Sequence, residues 1–435
     1  MQRVLWSLAI IGTALTSPAF ARGESEPVVQ FREGDRIVFL GGTLIERGQS
    51  YGFLESMIIA AHPRLNLTFR NLGWSGDTLW GEARAGFGTV EEGYNHLKEH
   101  VAAVKPTVIF VGYGGNEAFA GKAGLERFRQ GLARLLDSLE ANKPRTIVLM
   151  SPPPQENLGK PLPDPTKHNA DLKLYTDVIA DVAKTRHHVF LDVHRLISDM
   201  IALDNMIDDV FKGFEGLKKS RLTDDGIQWN RGGYERLDAA IGSFPEPTAV
   251  PAEVTIILGG DKPKVDLLGA TIEKLNATAE GLSFTYQATS LMPLSIGFES
   301  DEKGHTDLAA DFPILKIKGL KPGRYAMMID GKLIDHADDE DLATEGLVII
   351  EDQTWSDQLR KLRQAVVAKN QLYFYRWRPQ NETYLFGFRK HEQGNNGREI
   401  PQFDPLMAEK EAEIAKLRVP MPHTFEFVRE DDEVN

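Results

Sequence analysis

The 435-residue sequence contains no cysteine. That alone excludes disulfides, thiolate metal centres, a cysteine nucleophile and a lipid-bearing N-terminal cysteine. Positive charge is also in short supply: 50 Lys and Arg stand against 63 Asp and Glu, a formal net charge of −13. A surface of that sign repels a phosphate backbone, so nucleic acid is not an expected partner. Beyond Leu15 no apolar run approaches the roughly 20 residues that a membrane span requires. What is present is ordinary for a folded protein. An apolar content of 42% with 26% charge excludes wholesale disorder. At about 150 residues per domain, the length leaves room for two or three domains.

The first 21 residues read as an address. Arg3 supplies a positive start, Val4 to Leu15 is mostly apolar, and Ala19-Phe20-Ala21 is a small-x-small cleavage signal. This pattern predicts a secretory signal peptide over 1–21 and a mature chain starting near Arg22, exported to a periplasm or the exterior.

Residues 30–243 alternate short β-rich runs with helical patterns. Strands are expected at Arg36–Leu40, Leu65–Asn71, Thr107–Gly112, Thr146–Met150 and Val189–Val193. Helices are expected at Tyr51–His62, along the Leu125, Phe128, Leu132, Leu135, Leu136 and Leu139 face, and at Leu172–Ala183. Strand and helix in alternation predict a parallel sheet covered on both faces, an α/β fold. The proline-rich Phe244–Pro251 then marks a boundary. Short strands and turns over 252–351 predict a small antiparallel β-sandwich, clearest at Val254–Leu258, Leu282–Gln287, Ile314–Ile317 and Tyr325–Ile329. Residues 353–428 read as a helical and extended return segment, and 429–435 as a frayed acidic tail.

In an open parallel sheet, ligands bind beyond the carboxyl ends of the strands. Three glycine-bearing turns fall at such ends: Gly41-Gly42-Thr43-Leu44, Asn71-Leu72-Gly73-Trp74-Ser75-Gly76-Asp77 and Gly114-Gly115-Asn116-Glu117. A fourth segment, Asp225-Gly226-Ile227-Gln228-Trp229-Asn230, precedes the last helix of the domain. In order and composition these four segments resemble the blocks of the SGNH (GDSL) hydrolases, α/β esterases and lipases on a five-stranded parallel sheet. The resemblance spans about Asp35 to Ile241 and implies a three-layer fold and a small-molecule or glycan ester as ligand, with no cofactor and no metal. It assigns Thr43 to the nucleophile position, Gly73 and Asn116 to the oxyanion hole, and Asp225 and Gln228 to the acid and base positions.

Two of those positions depart from the family pattern. The family's serine is Thr43, whose extra methyl stiffens the side chain and crowds an attack trajectory. The family's histidine is Gln228, which orients or donates but accepts no proton at neutral pH. Losing the base from a serine triad costs up to about 10⁶ in turnover. Three readings stay open at this point: an ester hydrolase in which Thr43 works with Asp225, Glu117 or another base; an inactive descendant that still binds its ligand; and a structural domain. The residue chemistry favours the second.

Trp74, Tyr113 and Trp229 flank the blocks, and Trp80 lies close by. Aromatic faces beside polar groups suit sugar rings, and packing of the loops explains them equally well. His96 and His100 have the i, i+4 spacing of a helical metal pair without an evident third ligand. Tyr373 to Gly397 mixes Arg, aromatics and amides. It is expected to be a long extended clamp that ties the β-sandwich to the first domain through Arg–carboxylate pairs.

Overall fold

The computed structural model describes residues 29–210, 221–242, 252–259, 262–278, 281–291, 314–348 and 353–430. The expected signal peptide, the Phe244–Pro251 boundary and residues 431–435 of the expected tail lie outside them.

The first domain runs β1 (Arg36–Gly41), α1 (Thr43–Gly48), α2 (Phe53–Ala61), β2 (Thr68–Asn71), α3 (Val90–Val104), β3 (Val108–Gly112), α4 (Leu125–Glu140), β4 (Thr146–Met150), α5 (Thr166–Arg186), β5 (Val189–Leu191), α6 (Val193–Val210) and α7 (Arg231–Gly242). Its five strands pair in the order β2-β1-β3-β4-β5, every pair parallel. The period of two along each strand divides the core. Ile37, Phe39, Val108 and Phe110 pack on one face with α2 and α7. Val38, Leu40, Ile109 and Val111 pack on the other with α3, α4 and α5. Helix α3 starts where Thr89 and Glu92 form a reciprocal capping box. The last strand stops two residues earlier than expected because the Asp192 carboxylate accepts the Arg195 N–H at 3.0 Å and so caps α6.

The second part runs β6 (Glu253–Ile257), β7 (Lys264–Leu268), β8 (Ala270–Ala277), β9 (Gly281–Ala288), β10 (Ile314–Lys318), β11 (Arg324–Ile329), β12 (Lys332–Asp338) and β13 (Leu347–Val348). The third supplies α8 (Gln353–Trp377), α9 (Phe403–Leu417) and β14 (His423–Arg429). The β part is a sandwich of two sheets, β13-β10-β6-β7 and β12-β11-β14-β9-β8. Two features differ from expectation. The β6–β10 pair is parallel, so the sandwich is mixed. The strand at the middle of the larger sheet is β14, from the end of the chain, so the sandwich is not confined to 252–351. Strand β14 belongs there because His423, Phe425 and Phe427 alternate inward, and Phe425 stacks on Phe284 with centroids 5.4 Å apart. Arg429, expected in the frayed tail, is its last residue.

The return segment is helical where an extended clamp was expected. Good helix formers carry α8 through Tyr373 and Phe374, and Pro379 stands two residues past its end. Within Tyr373–Gly397, Arg378 makes an Arg–carboxylate pair on the first domain, with Glu46 at 2.6 Å; further along the chain Glu411 pairs with Arg70 at 2.7 Å. Together α8 and α9 cover the edge strand β2, where unpaired backbone groups need partners.

One buried carboxyl in this frame carries a pH prediction. Asp238 in α7 accepts the Leu54 N–H at 3.2 Å, and burial pushes its pKa from 3.8 up to about 8. Between those values the native state holds a proton that the unfolded chain has released. Stability therefore falls as pH rises from about 4 to about 8 and levels off above, once both states have lost it. Asp238→Asn keeps the acceptor and removes the charge. The variant is expected to melt several degrees above wild type at pH 8 and level with it near pH 4, as read by calorimetric scans across pH. A constant offset between the two proteins at all pH values would contradict this.

Candidate active site

Strand order reverses between β1 and β3, which places a crevice outside their carboxyl ends. A cleft of about 190 Å³ opens there, lined after β1 by Gly42, Thr43, Leu44 and Arg47, and after β3 by Tyr113, Gly114, Asn116, Glu117 and Phe119. The Pro152–Pro154 run, His168 and Leu172 form a third wall, and Ile227, Gln228 and Trp229 a fourth. Thr43, Asn116 and Gln228 thus meet in one cleft, with Asp225 behind the last.

Thr43 is the first residue of α1. Among the described residues, the hydrogen bond to its Oγ1 comes from the Gly76 N–H at 3.1 Å. Gly76 has a φ of +77°, a conformation that glycine adopts without strain and that turns this amide toward the threonine. Asn116 Nδ2 donates to the Asp77 carbonyl at 2.9 Å, which fixes the side chain and leaves its second amide proton to the cleft.

Gly73 stands elsewhere. Its N–H donates to Asn71 Oδ1 at 2.8 Å and is spoken for. A Cβ on Gly73 would lie 2.3 Å from the Glu46 nitrogen, so its glycine character serves close packing of this loop on α1. The amide facing the threonine oxygen belongs to Gly76, three residues on. Its signal was in the quoted block: a glycine directly before Asp77 in Ser75-Gly76-Asp77.

Asp225 Oδ1 accepts the backbone N–H groups of Gln228 at 2.7 Å and Ile227 at 3.0 Å, and these bonds hold its pKa below the ordinary range. Its other oxygen accepts from Gln228 Nε2 at 3.0 Å. Gln228 Oε1 in turn accepts from the Arg47 guanidinium at 2.5 Å. The carboxamide is therefore engaged at both ends, its nitrogen on the acid and its oxygen on the arginine. Glu117 holds the Leu79 and Gly114 N–H groups, each at 2.9 Å, and burial raises its pKa. Neither Asp225 nor Glu117 is bonded to Thr43 among the described residues.

Sequence reasoning did not single out Arg47 or His168 as cleft residues. Arg47 is one turn beyond Thr43 on the same short helix, and that i, i+4 spacing is a readable signal. His168 had no motif around it. It stands in the first turn of α5, its ring stacked on Phe119 with centroids 4.2 Å apart. Its Nε2 is buried and has no hydrogen-bond partner among the described residues, and burial lowers its pKa, which favours the neutral ring.

The flanking aromatics mostly pack. The Trp74 face is covered by the Arg378 guanidinium at 3.6 Å, with Trp377 against its edge. Tyr113 is buried and donates to Asp77 Oδ2 at 3.0 Å. Asp77 also pairs with Arg84 at 2.6 Å, both side chains fully buried. Trp229 is buried and contributes to the cleft wall. His96 bonds the Arg84 carbonyl, and His100 packs on Trp377. Among the described residues no three His, Asp or Glu side chains are grouped to hold a metal ion, and no helix is long and apolar enough to cross a membrane.

Residues 34–236 match the GDSL-like lipase/acylhydrolase family. Among solved structures, a gut microbial diltiazem-metabolizing enzyme superposes with a TM-score of 0.69 at 18% identity, covering 93% of this chain and 100% of its own. An acetylxylan esterase from Geobacillus stearothermophilus, 18% identical with a TM-score of 0.36, covers 49% of this chain and 94% of its own. A lipase/acylhydrolase from Enterococcus faecalis, 19% identical with a TM-score of 0.31, covers 48% and 93%. No curated protein sequence matches the chain. The likeness to the first of these structures extends over the sandwich and the return helices as well as the α/β half. Residues 34–236 thus form a domain of the GDSL-like lipase/acylhydrolase family with the SGNH-type α/β fold, to which the rest of the chain adds a β-sandwich and a helical clamp.

Proposed function

We propose that this protein is an ester-directed member of the acylhydrolase family that binds an ester in the cleft between β1 and β3 and turns it over little or not at all. The Gln228 carboxamide carries this reading. It occupies the position of the general base, it accepts no proton at neutral pH, and both its ends are committed, to Asp225 and to Arg47. The bond that Thr43 Oγ1 receives from Gly76 holds the oxygen as an acceptor and does nothing to remove its proton. The donors around the cleft remain. The walls supplied by Leu44, Pro152–Pro154, Leu172, Phe119 and Ile227 are apolar, which favours contact with the acyl half of an ester. A carbohydrate as the alcohol half is supported by the family resemblance alone, since the Trp74 face is already covered by Arg378. Export to a periplasm or the exterior is part of the proposal and rests on the Arg3–Ala21 pattern.

His168 in the same cleft, its Nε2 without a hydrogen-bond partner among the described residues, favours one second reading, an esterase whose base comes from α5. Hydrolysis of p-nitrophenyl acetate by wild type, Thr43→Ala and His168→Ala separates the two. The expected result is the same background rate for all three. A wild-type rate well above background that is lost in both variants would establish the second reading, and one lost in Thr43→Ala alone would reject both as stated.

A further inference from the structure

Resting on the reading of this cleft as the site that takes the acyl half of an ester, we infer that it also binds the corresponding anion, a small monocarboxylic acid whose carboxylate meets Arg47 and whose apolar tail lies against the Pro152–Pro154 wall and Phe119. Arg47 is exposed to the cleft and has no carboxylate partner among the described residues. Its one hydrogen bond there goes to a neutral amide oxygen, that of Gln228. A guanidinium carries five N–H donors, so most remain to be met.

The acidic groups nearby are each neutralised or turned away. Asp225 is satisfied by two backbone N–H groups and the Gln228 amide. Asp77 is paired with Arg84 and Tyr113. Glu117 is held by two backbone amides, and burial favours its neutral form. What faces the cleft is a set of donors: the Arg47 guanidinium, the Thr43 hydroxyl and the second amide proton of Asn116. An ester carbonyl presents one weak acceptor to this set, whereas a carboxylate presents two charged oxygens that match a guanidinium in a paired geometry. The volume of about 190 Å³ lies below the range for drug-sized ligands, which limits the tail to a short chain or a single ring.

Titration calorimetry on the full chain tests this with butyrate and benzoate against the neutral butyramide and benzamide, and with galacturonate as a polar acid. Each acid is expected to bind about tenfold or more tightly than its amide, because a hydrogen bond to a charged group is worth more than a neutral one. Arg47→Ala is expected to erase that preference, acid and amide then binding alike, and Arg47→Lys to keep part of it. Equal affinities for acid and amide, an unchanged preference in Arg47→Ala, no binding of either, or tighter binding of galacturonate than of butyrate would each overturn the inference. The two proposals fail separately. A Thr43-dependent esterase rate leaves the ratio of acid to amide affinities standing, and a ratio near one leaves the absence of turnover standing.

Discussion

Lys369→Ala is expected to destabilise the protein by about 3–5 kcal/mol, the usual cost of leaving one member of a buried ion pair without its partner. Lys369 projects from α8 into the first domain, where its Nζ donates to Glu55 Oε1 at 2.6 Å and to the Phe69 carbonyl at 3.2 Å. The two side chains are 1% and 7% exposed. Burial pulls the pKa of the lysine down and the Glu55 carboxylate beside it opposes that pull. The Phe69 carbonyl belongs to β2, the edge strand, so the same ammonium also satisfies a backbone acceptor that has no strand beside it. Removing the amine strands the Glu55 carboxylate out of water, while the Phe69 carbonyl keeps the Arg70 Nη1 bond at 2.8 Å. Glu55→Gln combined with Lys369→Met removes both charges and is expected to recover most of the loss. Urea unfolding followed by tryptophan fluorescence is the measurement, and a loss under about 1 kcal/mol for Lys369→Ala would show that the pair is already hydrated. The consequence reaches the cleft. Helix α8 is followed directly by Arg378, which pairs with Glu46 and covers Trp74. Glu46 in turn accepts the Ser75 N–H at 2.5 Å, one residue before the amide that faces Thr43.

Much of this arrangement was legible from local pattern. The five parallel strands follow from short apolar runs between helical periods, because a strand buried on both faces admits little else. Thr43, Asn116, Asp225 and Gln228 converge because each sits just beyond a strand or just before a helix at one sheet edge. Long-range pairing was less readable. Strand β14 alternates like many strands, and nothing local says that it inserts between β9 and β11, some 100 or more residues away. The parallel β6–β10 pair is hidden for the same reason. Gly73 and Gly76 are both glycines of one loop, and the sequence alone does not tell their amides apart. Only coordinates tell an amide consumed by Asn71 from one aimed at the threonine. Arg47 carries no motif of its own, and a lone arginine on a six-residue helix usually faces solvent.

Thr43→Ser with Gln228→His and Arg47→Ala is expected to raise p-nitrophenyl acetate hydrolysis by about 10² to 10⁴ over wild type, the range for adding a positioned general base. The third change matters as much as the second. Arg47 now donates to the side chain at position 228 at 2.5 Å. An imidazole placed there would receive the same N–H on the nitrogen that has to accept the serine proton, and the neighbouring positive charge would lower its basicity. Removing the guanidinium frees that lone pair, while Asp225, held ionised by the Ile227 and Gln228 amides, remains to orient the ring. Asn116 keeps one amide proton for the developing oxyanion, and the Gly76 N–H, which now donates to the threonine oxygen, lies beside it. Thr43→Ser with Gln228→His alone is therefore expected to gain far less than the triple variant. Thr43→Ser with Arg47→Ala, which lacks the imidazole, is expected to stay at background. Initial-rate assays of the four proteins decide the point. A triple variant no faster than wild type would mean that these side chains, though they share a cleft, are not arranged for acyl transfer.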